Sequence, residues 1–334
     1  MVNTNRRTVL KTVGASSAAL LSGCSGVLDG GSDDDSSSGG APDYRDWFPT
    51  ASKLEGESGG YLYGVFDMSA LAELEDDSED QSDSDSGQPT DPLVANPLGI
   101  YLAAAFLSLS YSQMGLSSVM EGIDKSSNPI DRWMLVGGYS VFEGSFDTEE
   151  LESNFDQMGY DDPSEVGDFS LYEHPDNPYA VGIRSDTIVA VSGNDLEDPG
   201  SIATAIIDAE RGEVTREHED NDTFDRVTKA VTDGDLLYGV LPESETFESE
   251  SGSDDLGVNV RPFTSAVGLS QSLAIDSDTN KATARAGVVY DSEDDVVTDK
   301  LESGLGAEAS EFDLQQDGSE VSIEATYEED DVSG

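Results

Sequence analysis

A chain of 334 residues with one cysteine and two histidines has few places to put a nucleophile, a general base or a soft metal ligand. Cys24 is its one thiol. His174 and His218 stand far apart, and neither has a second nitrogen or a thiolate nearby in sequence, which excludes zinc and iron sites of the ordinary nitrogen and sulfur type. His174 precedes Pro175 at a strand end with no visible partner for general-base work, and Arg216-Glu217-His218-Glu219-Asp220 reads as a solvated loop. Asp276-Ser277-Asp278-Thr279-Asn280 has calcium-loop spacing at its first three ligand positions. The sixth position is Lys281 instead of Gly and the twelfth is Gly287 instead of Glu, so the stretch reads as a hairpin turn. Gly56-Glu57-Ser58-Gly59-Gly60 has the letters of a nucleophile elbow, but no predicted strand leads in and no helix leads out. No glycine-rich phosphate loop of standard spacing opens a helix, and acids are too abundant for any carboxylate pair to stand out. Asn221-Asp222-Thr223 is an N-glycosylation sequon in a polar loop. No cofactor and no metal are expected.

Cys24 gains a meaning from what precedes it. Arg6, Arg7 and Lys11 are the only charges before it, and residues 12 to 23 form a short uncharged run rich in Ala, Leu, Ser and Gly. That run is shorter than the roughly 20 apolar residues that span a bilayer. Asn5-Arg6-Arg7-Thr8-Val9-Leu10-Lys11 resembles a twin-arginine export signal, with Asn5 and Val9 departing from the usual residues, and Leu21-Ser22-Gly23-Cys24 resembles a lipobox. The resemblance implies export by the twin-arginine machinery, cleavage before Cys24 and lipid on its sulfur.

Charge sharpens the resemblance. The chain carries 71 Asp+Glu against 16 Lys+Arg, and loss of the three leader cations would leave 13, for a formal charge of −58. At molar salt the Debye length falls to about 3 Å and such self-repulsion is screened. The leader by motif, and the remainder by composition, resemble the exported lipoproteins of haloarchaea. Nucleic acid is excluded as a partner because no basic patch could neutralise phosphates.

These signals set out an organisation: a signal peptide over 1–23, a lipidated Cys24 with a flexible acidic tether to residue 40, and a body beyond it. The tether is almost wholly Gly, Ser and Asp and reaches about 20 to 24 Å. The body divides into 41–212, with an acidic insertion over 73–92, and 213–334. Strand patterns fall at 61–66, 133–142, 179–184, 187–192, 236–241, 266–275, 282–290 and 320–327. Helix patterns fall at 69–74, 147–159, 198–209 and 293–301. Residues 92 to 120 are uncharged and flanked by acids, which predicts a core helix or hydrophobic hairpin in preference to a membrane span.

Strands outnumber helices and pair locally, so the expected class is α+β, mainly antiparallel sheet with packed helices. Leu62-Tyr63-Gly64-Val65 recurs as Leu237-Tyr238-Gly239-Val240, and the order of elements repeats around it, which suggests two similar α+β halves. The function expected is that of a non-catalytic surface lipoprotein, tethered to the outer face of the membrane through Cys24, that binds a ligand, a partner or an envelope component. An exported hydrolase with a carboxylate or serine site, and a solute-binding lipoprotein of a transporter, are the alternatives.

Overall fold

Tyr61–Asp67 (β1) shows how the sheet is built: Tyr61, Tyr63 and Val65 point to one side, Phe66 to the other, and both sides are buried. A strand covered on both faces reads as a nearly continuous apolar run, which is why this one carries so strong a sequence signal. The computed structural model describes residues 43–54, 60–68, 89–120, 129–193, 196–242, 247, 258–276, 279 and 281–328. Within them a single twelve-stranded antiparallel sheet is accompanied by seven α-helices, an α+β protein.

The remaining strands are β2 (Ile130–Val136), β3 (Tyr139–Gly144), β4 (Ser164–Val166), β5 (Phe169–Glu173), β6 (Tyr179–Arg184), β7 (Thr187–Ser192), β8 (Leu236–Leu241), β9 (Ala266–Asp276), β10 (Lys281–Tyr290), β11 (Glu311–Asp317) and β12 (Glu320–Glu328). The spatial order is β11-β12-β10-β9-β8-β1-β2-β3-β7-β6-β5-β4. One face carries α1 (Pro92–Tyr111), α2 (Ser117–Met120), α3 (Thr148–Met158) and α7 (Thr298–Gly304), which contribute Leu93, Val119, Phe155 and Leu301 to the larger core. The other face carries α4 (Pro199–Glu210), α6 (Asp222–Ala230) and the turns over 43–54, whose Ile206, Phe224 and Phe48 build a second core.

Local chemistry explains the helix ends. Asp147 accepts from the Glu150 amide at 3.1 Å to open α3, which Gly159 closes at φ 86°. Asp198 does the same for α4 through the Ser201 amide at 2.9 Å, with Pro199 in the first turn.

Three stretches depart from the sequence reading, and a fourth follows it. The single strand expected over 133–142 is a hairpin, because Gly137 and Gly138 take φ 55° and 85° and turn the chain back in two residues. The helix expected over 293–301 starts later: Glu293–Asp295 form a 3-10 turn, Val296 is extended, and α7 begins at Thr298. The loop assigned to Arg216–Asp220 holds α5 (Glu217–Asp220), and the sequon opens α6 instead of lying in a polar loop. The uncharged run 92–120 is α1, a 3-10 turn and α2, packed on the sheet. Among the described residues no helix is long and apolar enough to cross a membrane. The helix expected over 69–74 and most of the acidic insertion lie outside the described residues.

The recurring tetrapeptides turn out to be neighbours. They pair directly, Leu62 opposite Val240, Tyr63 opposite Gly239, Gly64 opposite Tyr238 and Val65 opposite Leu237. Tyr63 belongs to the second core and Tyr238 to the first. A two-fold axis relating adjacent antiparallel strands preserves the faces of the sheet, so the two tetrapeptides are not symmetry mates.

Candidate functional site

Cys24, Arg6 and Arg7 lie outside the described residues, as do residues 55–59 of the elbow-like stretch. The two histidines are placed, and neither is poised as a base. His174 Nδ1 accepts from the backbone amides of Asp176 and Asn177, both at 3.1 Å, and so caps its own turn. Its ring meets Tyr160 and Tyr179 edge-on at 5.1 and 6.1 Å. His218 is half-buried on α5, where burial first, and the positive charge of Arg45 second, hold it below the ordinary histidine pKa.

Asn221 is a structural joint. Its Oδ1 accepts from the amides of Thr223 and Phe224 at 3.0 and 3.1 Å and caps α6, while its Nδ2 donates to Glu217 Oε1 at 2.7 Å. Buried Glu217 gives its other oxygen to the Ala51 amide at 2.8 Å. The turns over 43–54 are thereby bolted to α5, helped by the Glu217 amide on the Phe48 carbonyl at 2.7 Å and by the Arg216–Asp46 ion pair at 2.7 Å. Arg216 also donates to the Ala209 and Glu210 carbonyls at 2.8 and 3.0 Å, closing the C-terminal end of α4.

Under that joint lies a polar centre that periodicity gives no reason to expect. Arg45, only 2% exposed, lies in the turn that supplies Tyr44 and Trp47 to the second core. One of its terminal nitrogens pairs with Asp225, which also receives Lys229 at 2.6 Å. Asp225 is held below the usual carboxylate range: burial works against this, and the hydrogen bonds from Lys229 and Arg45 outweigh it. Tyr44 and Tyr63 stack with ring centroids 6.4 Å apart and planes 22° from parallel. Both hydroxyls, and the Arg45 Nε, are buried without a hydrogen-bond partner. Burial raises both phenols far above their ordinary pKa, so each remains an O–H donor at neutral pH. A sequence signal existed in retrospect: Asp43-Tyr44-Arg45-Asp46-Trp47 is aromatic-rich beside a Gly/Ser/Asp tract.

A second buried polar set fixes α1 to the sheet. Asn96 Nδ2 donates to Gln271 Oε1 at 3.0 Å and to the Asn259 carbonyl at 3.1 Å, and Asn96 Oδ1 accepts from the Asn259 amide at 2.7 Å. Tyr238 donates to the same Gln271 oxygen. This set is satisfied and reads as an anchor. Among the described residues no group of three or more His, Cys, Asp or Glu side chains is arranged to hold a metal ion.

No family profile matches the chain, and no curated protein matches it. Two solved structures, crystal forms I and IV of the protein TP0453, align at 10% identity with a TM-score of 0.39 each. They cover 82% and 81% of this chain and 92% and 90% of theirs. At that score nothing about this chain is taken from them.

Proposed function

We propose that this protein is a lipoprotein held on the outer face of the cell membrane through Cys24, with its α+β body serving as a non-catalytic binding or structural module. The observation that carries the reading is the position of the one cysteine, at the end of a short uncharged run that follows paired arginines and precedes a flexible tether. Its test is fractionation of cells expressing the wild type and Cys24→Ala. Wild-type protein pellets with membranes and carries an acylated N-terminal cysteine by mass spectrometry, and Cys24→Ala is released. An N-terminus starting at Met1 without acyl groups sinks the proposal.

The excess of acids supports a protein that works in concentrated salt, where carboxylates are screened and hydrated. We also infer that the body arose from two similar halves. Outward from the centre of the sheet the strands run β1-β2-β3-β7-β6 on one side and β8-β9-β10-β12-β11 on the other. Leu151-Glu152-Ser153 of α3 and Leu301-Glu302-Ser303 of α7 follow the third strand of each series, and both leucines are buried in the same core. Strand order and helix side thus favour a duplication that the tetrapeptides do not mark.

A further inference from the structure

We propose that the corner made by Val297, Lys300, Thr264 and Arg261 is the part of the body that touches the membrane surface, with phosphate-bearing anionic lipid as its partner. The proposal rests on the reading of Cys24 as a membrane anchor and names the side of the body turned to the lipid. Charge singles the corner out. Every described arginine except Arg261 is ion-paired with a carboxylate, and among the described residues Lys300 makes no ion pair either. In a chain of 71 acids and 16 cations, two unclaimed cations at one corner are an exception. The Lys300 ammonium donates to Thr264 Oγ1 at 2.5 Å, and that hydroxyl donates to the Arg261 carbonyl at 2.8 Å. Val297 stands beside them: the Lys300 amide donates to its carbonyl at 3.0 Å, and a spacing of three residues around a helical turn brings the two side chains together. It is 46% exposed, the more exposed of the two large apolar side chains that the described residues leave open.

The corner is held from beneath. Phe263 and Leu301 are buried in the larger core, and a Cβ on Gly304 would lie 3.0 Å from Pro262 Cγ, so the Arg261–Phe263 turn and α7 are in contact. Salt makes its local composition decisive: at about 1 M the screening length is about 3 Å, so a lipid headgroup responds to the groups it touches and not to the net charge of the body. Here those groups are an open valine and two cations able to make charge-assisted hydrogen bonds to phosphate. The acids nearby are directed elsewhere. With Leu301 facing the core, the helical repeat puts Asp299 on the outer side of α7 and Glu302 on the flank away from Lys300, and Asp295 accepts from the Ser292 hydroxyl at 2.7 Å. A tether running from Cys24 to Asp43 spans up to about 65 Å when extended, long enough to let this side meet the bilayer.

The experiment uses the full chain carrying Cys24→Ala, so that contact with lipid is read separately from the anchor. In about 1 M salt this protein is expected to float with vesicles of equal parts phosphatidylglycerol and phosphatidylcholine, and not with phosphatidylcholine alone. Adding Arg261→Gln and Lys300→Gln together is expected to weaken that binding about fivefold. Because Cys24→Ala leaves no other thiol, Val297→Cys in the same chain can carry a polarity-sensitive dye. Its emission is expected to move to shorter wavelength on the mixed vesicles, and that of the same dye on Met158→Cys is expected to stay in place. All four side chains are exposed, so each variant is expected to keep its parent's Tm; should the double glutamine variant lose it, the two single variants are read instead. No flotation, equal flotation with both vesicles, glutamine variants that bind as their parent does, a dye at Val297→Cys as silent as that at Met158→Cys, or a dimer through Val297 in sedimentation without vesicles would each overturn the proposal. None of these outcomes bears on the anchor, which stands or falls by acylation of Cys24.

Discussion

Asp91 shows how much one buried atom can matter. Its Oδ1 accepts from the Leu93 amide at 3.1 Å at the start of α1, and its Oδ2 is buried beside the Tyr327 hydroxyl. Burial pushes its pKa above the ordinary carboxylate value; the Leu93 amide, the Tyr327 hydroxyl and the Glu308 backbone oppose this, and the Glu308 carboxylate reinforces it. A carboxyl raised on folding favours the native state while it stays protonated, below its unfolded pKa of about 3.9, and that contribution is lost as pH rises through the folded value. Asp91→Asn keeps the acceptor on the Leu93 amide and has no proton to lose. Its Tm relative to wild type is therefore expected to climb as pH rises above about 4 and to level off once Asp91 is ionised in the folded protein. A difference independent of pH would remove Asp91 from the account. Nothing in the local sequence distinguishes this acid from the other 70 Asp and Glu residues, because its burial depends on Glu308 and Tyr327, more than 200 positions away.

Elements were legible where they were covered on both faces or capped by a single residue. The runs at 61–66, 187–192 and 236–241 gave their strands almost to the residue, and Asp147 with Gly159 bounded α3. Edge strands did not announce themselves: β11 alternates exposed acids and amides with half-buried Phe312 and Leu314, too weak a pattern against an acidic background. The hairpin between β2 and β3 was missed because Gly137-Gly138 lies inside one apolar run, where periodicity cannot see a turn. Glycine has a second use at the centre of the sheet. A Cβ on Gly239 would lie 2.2 Å from Tyr63 Cζ, so the bare backbone lets that ring cross onto the neighbouring strand. Gly239→Ala is expected to destabilise the protein by about 1 to 3 kcal/mol through overpacking, read as a lower denaturant midpoint at unchanged slope. A midpoint equal to that of the wild type would mean that the ring moves aside freely.

For the whole molecule, charge is the dominant quantity. A formal −55 on a chain whose body folds around two cores implies that low salt works against compaction while the apolar contacts remain the same. Tm is expected to rise steeply from tens of millimolar to about 1 M salt, where the screening length is about 3 Å, and to flatten beyond. A Tm insensitive to salt in scanning calorimetry would show that the acids are spaced widely enough to be harmless. Of the candidate site, Asn221 was legible as a motif, yet its role as a helix cap and as a tie to Glu217 was not.

Composition and strand periodicity are properties of neighbouring residues, so the charge and the α+β class could be read along the chain. The pairing of β1 with β8, the burial of Arg45 under α6 and the second core beneath α4 join positions up to 180 residues apart. Such contacts exist only once the sheet has closed around them, because loop entropy and packing, which no local window contains, select the partners.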